Sequence, residues 1–124
     1  MGVLKRVLCR ERLRKIPPQF NWVDHRLVRD RRICGVSVQA LALYLFLVTV
    51  ADAEGLSYYS DFTILRLLPL DGPALERARQ ELSAAQLIAY QKPLYQVLAL
   101  DPPRQACPEP QSIGQILQQM ERAR

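Results

Sequence analysis

From residue 37 to about residue 53 the chain is apolar on nearly every side of a helix. Leu41, Leu43, Tyr44, Leu45, Phe46, Leu47, Val48 and Val50 cover almost the whole circumference, which predicts a helix that is buried all round. Ser37 is placed to cap its start and Gly55 to take the left-handed position past its end. Leu56 to Tyr59 suits a short strand. Ser60 or Asp61 then caps a helix over about 61–68, with Phe62, Ile64, Leu65 and Leu68 expected inward. Asp71 caps a third helix from about Pro73 to Ala85, and Leu75, Ala78, Leu82 and Ala85 mark its inner face at three- and four-residue steps. Leu87 to Gln91 and Leu94 to Leu100 are β-rich runs separated only by Lys92-Pro93, the signature of a tight hairpin.

The flanks have their own patterns. Residues 3–15 predict a short basic amphipathic helix, with Val3, Leu4, Val7 and Leu8 on one side, ended by Ile16-Pro17-Pro18. Phe20 and Trp22 read as anchors that pack this segment onto the body of the protein. Residues 101–111 hold four prolines in eleven positions and read as a linker. Ser112-Ile113-Gly114-Gln115 forms a capping box, and Ile113, Ile116, Leu117 and Met120 make one apolar stripe on a final helix at 112–124. The predicted organisation is therefore an arm at 1–35, a core at 36–100, a linker and a terminal helix.

Helix, short strand, helix, turn, helix and hairpin follow one another in the core. The run Ser60-Asp61-Phe62-Thr63-Ile64-Leu65-Arg66-Leu67-Leu68, then Leu70-Asp71, then Leu75, Ala78, Leu82 and Leu87-Ile88, resembles the winged helix-turn-helix pattern. It is similar to the small modules of plasmid and phage replication initiators and of mobile-element-associated proteins, and it covers about half the chain. The resemblance implies a mainly α fold with a small β-hairpin. It also implies a DNA-binding accessory or regulatory protein of replication, transposition or transcription control. Two positions depart from the pattern. Gln86 stands where a left-handed glycine is usual, and Leu65 stands where a small alanine is common.

The 124 residues carry 49% hydrophobic and 23% charged side chains, as an ordinary globular domain does. The net charge of +5 is unevenly spread. Residues 1–35 have ten Lys/Arg against three Asp/Glu, residues 36–100 have four against six, and residues 101–124 have three of each. A polyanion held by electrostatics must therefore meet the arm. The phosphate-contact candidates are Lys5, Arg6, Arg10, Arg12, Arg14 and Lys15, followed by Arg26, Arg29, Arg31 and Arg32.

In the resembled fold the third helix reads the major groove of double-stranded DNA. Arg77 and Gln80 have side chains suited to guanine and adenine edges, with Arg79 at the boundary of that face. The alternative is a solvated or protein-facing helix with an Arg77–Glu81 pair. Lys92 is the lone cation of the wing, and Tyr90 and Tyr95 read as cross-strand partners rather than base-stacking platforms. One such domain binds DNA weakly, so a homodimer through the first or the terminal helix, or a replication or transposition protein partner, is expected. The rival expectation is a protein-interaction adaptor that uses the same core without reading DNA.

Other chemistry finds little support. Cys9, Cys34 and Cys107 give neither a paired framework nor a zinc knuckle with the lone His25, so reduced thiols in a cytoplasm are expected. No metal, cofactor or small-molecule substrate is called for. Asp24-His25 suggests no catalytic triad, and the five glycines form no phosphate loop, so no enzymatic activity is expected. Lysines and arginines interrupt any signal-peptide core, and Arg6 stands where a myristoylation signal needs Ser or Thr. The uncharged run from Ile33 to Ala51 is long enough for a membrane span, but Ser37, Gln39 and Thr49 within it argue for a soluble helix.

Overall fold

A computed structural model describes residues 4–100 of the chain. The linker at 101–111 and the helix expected at 112–124 lie outside the described residues. In chain order the elements are α1 (Arg26–Arg29), α2 (Val38–Val50), β1 (Leu56–Tyr58), α3 (Asp61–Leu67), α4 (Gly72–Ala84), β2 (Ile88–Gln91) and β3 (Leu94–Val97). The three strands form one antiparallel sheet in the order β1-β3-β2. Helices followed by such a sheet are compatible with a winged helix.

Local chemistry explains where these helices start. Ser37, Ser60 and Asp71 each accept a hydrogen bond from the backbone amide three residues on, at Ala40, Thr63 and Ala74, satisfying donors that the first helical turn leaves open. The Ser37 amide also donates to the Glu81 carboxylate at 2.7 Å, which ties the start of α2 to α4. Glu81 is thereby taken up inside the fold, and no Arg77–Glu81 ion pair forms among the described residues.

Gly55 closes the turn into β1. Its φ is +85°, and a Cβ there would stand 2.7 Å from the Val97 carbonyl oxygen. Asp52 shapes the same turn by accepting from the Glu54 and Leu56 amides, each at 2.9 Å. The hairpin pairs Gln91 with Leu94 across Lys92-Pro93, and Tyr90 with Tyr95. The two tyrosine rings lie 4.6 Å apart, so they are cross-strand partners as expected.

Leu43 and Leu47 from α2, Ile64 from α3, Leu75 and Leu82 from α4, Leu87 just before β2, and Ile88 and Tyr95 from the sheet are fully buried together. Leu27 of α1 joins them, so the segment before residue 36 contributes to the core rather than only wrapping it.

Several expectations are corrected. Residues 4–9 form no helix, and only a 3-10 turn appears at Arg10–Arg12. Leu4 and Leu8 are over 80% exposed, and a helix this short is marginal in water without a packing partner. α2 is not covered all round. One side packs on α4 and the sheet, while Val38 and Leu45 on the other side stand in solvent. Phe62 is exposed as well, because it lies about 200° around α3 from the buried Ile64. No helix among the described residues is long and apolar enough to cross a membrane.

Candidate nucleic-acid interface

The cationic residues divide by what surrounds them. Lys5, Arg6, Arg10, Arg12, Arg14 and Lys15 are exposed along residues 4–20, where every side chain faces solvent. Glu11 is the one acid among them. Its carboxyl is held below the usual range by a backbone hydrogen bond and by the Cys9 thiol. None of the six cations has an ion-pair partner among the described residues.

The segment is fixed at its far end by Asn21. Its amide nitrogen donates to the Thr49 and Ala51 carbonyls at 2.9 and 3.0 Å, capping the end of α2. Phe20 and Trp22, expected as the anchors, are largely exposed. Sequence reasoning missed Asn21, because nothing in the spacing of one asparagine points to a helix end 28 residues away.

The second arginine group has mixed fates. Arg26 forms a two-pronged pair with Asp24, with Nη2 at 2.8 Å from Oδ2, while its backbone amide donates to Oδ1 at 2.9 Å. These bonds from the Arg26 side chain and backbone hold the Asp24 carboxyl at about 2. Arg29 stays exposed, with a loose 3.4 Å contact to its neighbour Asp30.

Arg31 is half-buried at φ +57°, and Gly35 takes φ +85° soon after. Between them Arg32 is buried, at 5% exposure, with Nη2 donating to the Leu100 carbonyl at 2.7 Å. Arg32 is thus a clasp between the segment before α2 and the end of the core. It is out of reach of a phosphate on the surface.

On α4 the expected outer face is present: Pro73, Glu76, Arg77, Gln80 and Ala84 are all exposed. Arg79 is engaged elsewhere. Its Nη1 donates to Asp61 at 2.9 Å and to the Tyr95 hydroxyl at 2.8 Å, and its guanidinium lies 4.4 Å from the Tyr90 ring centre. Burial works against the Arg79 charge, yet the bonds to Asp61 and Tyr95 outweigh it and raise its pKa. Burial in turn pushes the Tyr95 hydroxyl up. Lys92 is exposed at the hairpin tip, and a two-residue tip extends little beyond the sheet.

A second feature was not visible in the sequence. A half-open groove of about 290 Å³ runs between residues 21–26, the end of α2, the turn at 51–55 and the strand end at 96–100. Trp22 borders it at 73% exposure. Among the described residues no group of side chains is arranged to hold a metal ion. The expectation of reduced thiols fails at Cys34, which is disulfide-bonded to a partner outside the described residues. Cys9 is free and exposed. Sequence spacing carries no information on the distance between two sulfurs in space, and such bonds persist mainly in oxidising compartments. The cysteines therefore no longer argue for a cytoplasmic location. Compared with known proteins, the chain matches no family model, no curated protein and no solved structure.

Proposed function

We propose that this protein is a DNA-binding accessory or regulatory protein built on a winged helix-turn-helix core, with its affinity supplied by the N-terminal arm. The observation that carries this reading is the exposed run from Lys5 to Lys15, six cations and one acid on largely irregular backbone. An irregular basic arm can follow a groove or a phosphate path, as arms beside helix-turn-helix cores do. Arg29, and Arg77 and Gln80 on the outer face of α4, are further exposed contacts in this reading. Arg26, Arg32 and Arg79 hold the fold.

The test is binding of the full chain to mixed-sequence duplex across 50–300 mM salt, beside a variant with Lys5, Arg6, Arg10, Arg12, Arg14 and Lys15 all changed to Gln. Six phosphate contacts predict that the salt slope falls by about five on neutralising the arm. Arg77→Ala and Gln80→Ala should instead change preference among sequences, with little effect on the slope. A full chain that fails to bind duplex at 50 mM salt refutes the reading.

A second reading, an adaptor that meets protein partners, is favoured by the uncovered apolar residues Val38, Leu45, Tyr58, Phe62 and Leu67 on a core of net −2. The α2 face bearing Val38 and Leu45 is also where a second copy would pair. Under the adaptor reading, Val38→Glu with Leu45→Glu abolishes assembly while the neutralised arm leaves it intact.

A further inference from the structure

We propose that the groove beside Trp22 binds a small primary amine with a hydroxyl at its far end, an aminoalkyl phenol or a similar amino alcohol. The argument begins at Tyr44 of α2, whose side chain is nine-tenths buried and lines the groove. Its hydroxyl has no hydrogen-bond partner among the described residues and is open to the groove. Polar groups at such depth are ordinarily paired, so the groove presents a hydrogen-bonding site that the chain itself leaves unused. Burial and the Asp24 carboxylate both push the hydroxyl's pKa up. It therefore keeps its proton at neutral pH and can donate as well as accept.

Charge separates the two ends of the groove. Near Tyr44, Asp24 is neutralised by its two-pronged pair with Arg26, so that end favours an uncharged hydroxyl over a cation. At the other end Asp52 and Glu54 are exposed and have no ion-pair partner among the described residues. Asp52 gives one oxygen to the turn amides and keeps the other. Asn21, bound to the Ala51 carbonyl, holds its neighbour Trp22 at this same end. Two carboxylates beside an exposed indole suit an ammonium, through charge and through the negative face of the ring.

Size sets the rest of the ligand. Tyr44 and Ala51 lie seven residues apart, about 10 Å along the helix axis. The groove's volume of about 290 Å³ is at the low end for small-ligand pockets. Val23, Val97 and Leu98 offer apolar surface along it. An ammonium, a short apolar body and a terminal hydroxyl meet these features in turn. The proposal is independent of what the arm binds.

The full chain is titrated, without nucleic acid, with tyramine, with phenethylamine, which lacks the hydroxyl, and with para-ethylphenol, which lacks the amine. Trp22 is the only tryptophan in the chain, so its indole N–H gives one NMR resonance that reports the groove. Tyramine should move that resonance saturably, with a dissociation constant on the order of a millimolar, and the other two probes should bind more weakly. Tyr44→Phe should weaken tyramine by about threefold to tenfold and leave phenethylamine unchanged. Glu54→Gln should weaken both amines by about twofold to fivefold and leave para-ethylphenol unchanged. The absence of a saturable shift with tyramine overturns the proposal, and so does para-ethylphenol binding as tightly as tyramine. Equal loss of both amines in Tyr44→Phe also overturns it, since the hydroxyl is then no contact of the ligand. A resonance that moves on raising the protein concentration alone overturns it too, because the groove then takes a second copy of the chain.

Discussion

Replacing Gln86 by glycine should stabilise the protein, and the amount follows from one backbone angle. Gln86 adopts φ +62° immediately after α4. Its amide donates to the Ser83 carbonyl, and the Leu87 amide donates to Leu82, both at 3.0 Å. That pair of bonds is the Schellman closure of a helix, whose left-handed residue is ordinarily glycine. Leu82 and Leu87 on either side are fully buried, so the backbone has no freedom to relax. A side chain in the left-handed region costs about 1–2 kcal/mol. Glycine gives back about 0.5–1 kcal/mol of this through the greater freedom of the unfolded chain. The net gain is about 0.5–1 kcal/mol, or a rise of about 2–8 °C in Tm for a domain of this size. Because the Gln86 side chain is exposed, no packing change enters the comparison. Urea unfolding of variants at this position should rank Gly first, then Asn, then Gln and Ala together, with Val last, at constant m-value. Glycine no more stable than alanine would refute the left-handed closure and the argument built on it.

Gly55→Ala should destabilise by about 2 kcal/mol or more, because it combines a left-handed φ with a clash against the Val97 backbone, and denaturant unfolding reads it directly. Arg79→Ala should cost about 1–3 kcal/mol by leaving the buried Tyr95 hydroxyl without its donor. Arg79→Lys should recover only part of this in the same assay, since an ammonium can replace the Nη1 contacts but not the second contact of Nη2 with Asp61 or the planar guanidinium over the Tyr90 ring. Asp24 has a folded pKa of about 2, below its unfolded value. Its contribution is therefore present above about pH 4 and lost as pH falls towards 2. Acid unfolding curves of wild type and Asp24→Asn should differ above pH 4 and converge by pH 2, and curves parallel throughout would refute the pairing with Arg26.

Short-range rules read the core of this fold well and its flanks poorly, for physical reasons. Ser37, Ser60 and Asp71 cap helices through contacts three residues long, and the Lys92-Pro93 turn fixes the register of its own hairpin. The left-handed position at Gln86 was marked by the resemblance and is occupied despite the side chain. All-round burial of α2 does not follow from its composition, because periodicity reports which residues are apolar but not how many layers are available to cover them. Apolar spacing at 3–15 does not make a helix, because residues 4–15 have no surface of the fold to rest on. Contacts between distant residues left no local trace at all: Asn21 with Ala51 and Arg32 with Leu100 span 30 and 68 residues.

The arginines show why a count of charges locates a candidate binding surface only coarsely. Ten cations in the first 35 residues made one basic arm in the sequence, but acceptors on the folded chain divide them. Asp24 takes Arg26, the Leu100 carbonyl takes Arg32, and on α4 Asp61 and Tyr95 take Arg79. Each of these guanidiniums is held by acceptors of the folded chain, which makes it a strut. Neutralising one of them should therefore lower the urea midpoint. Residues 5–15 have no such acceptors among the described residues. They keep their charge in solvent, where it is worth little to stability and is available to a phosphate chain. Their neutralisation should therefore change the salt dependence of binding while leaving the urea midpoint in place. That separation of binding from stability distinguishes a nucleic-acid arm from a structural one.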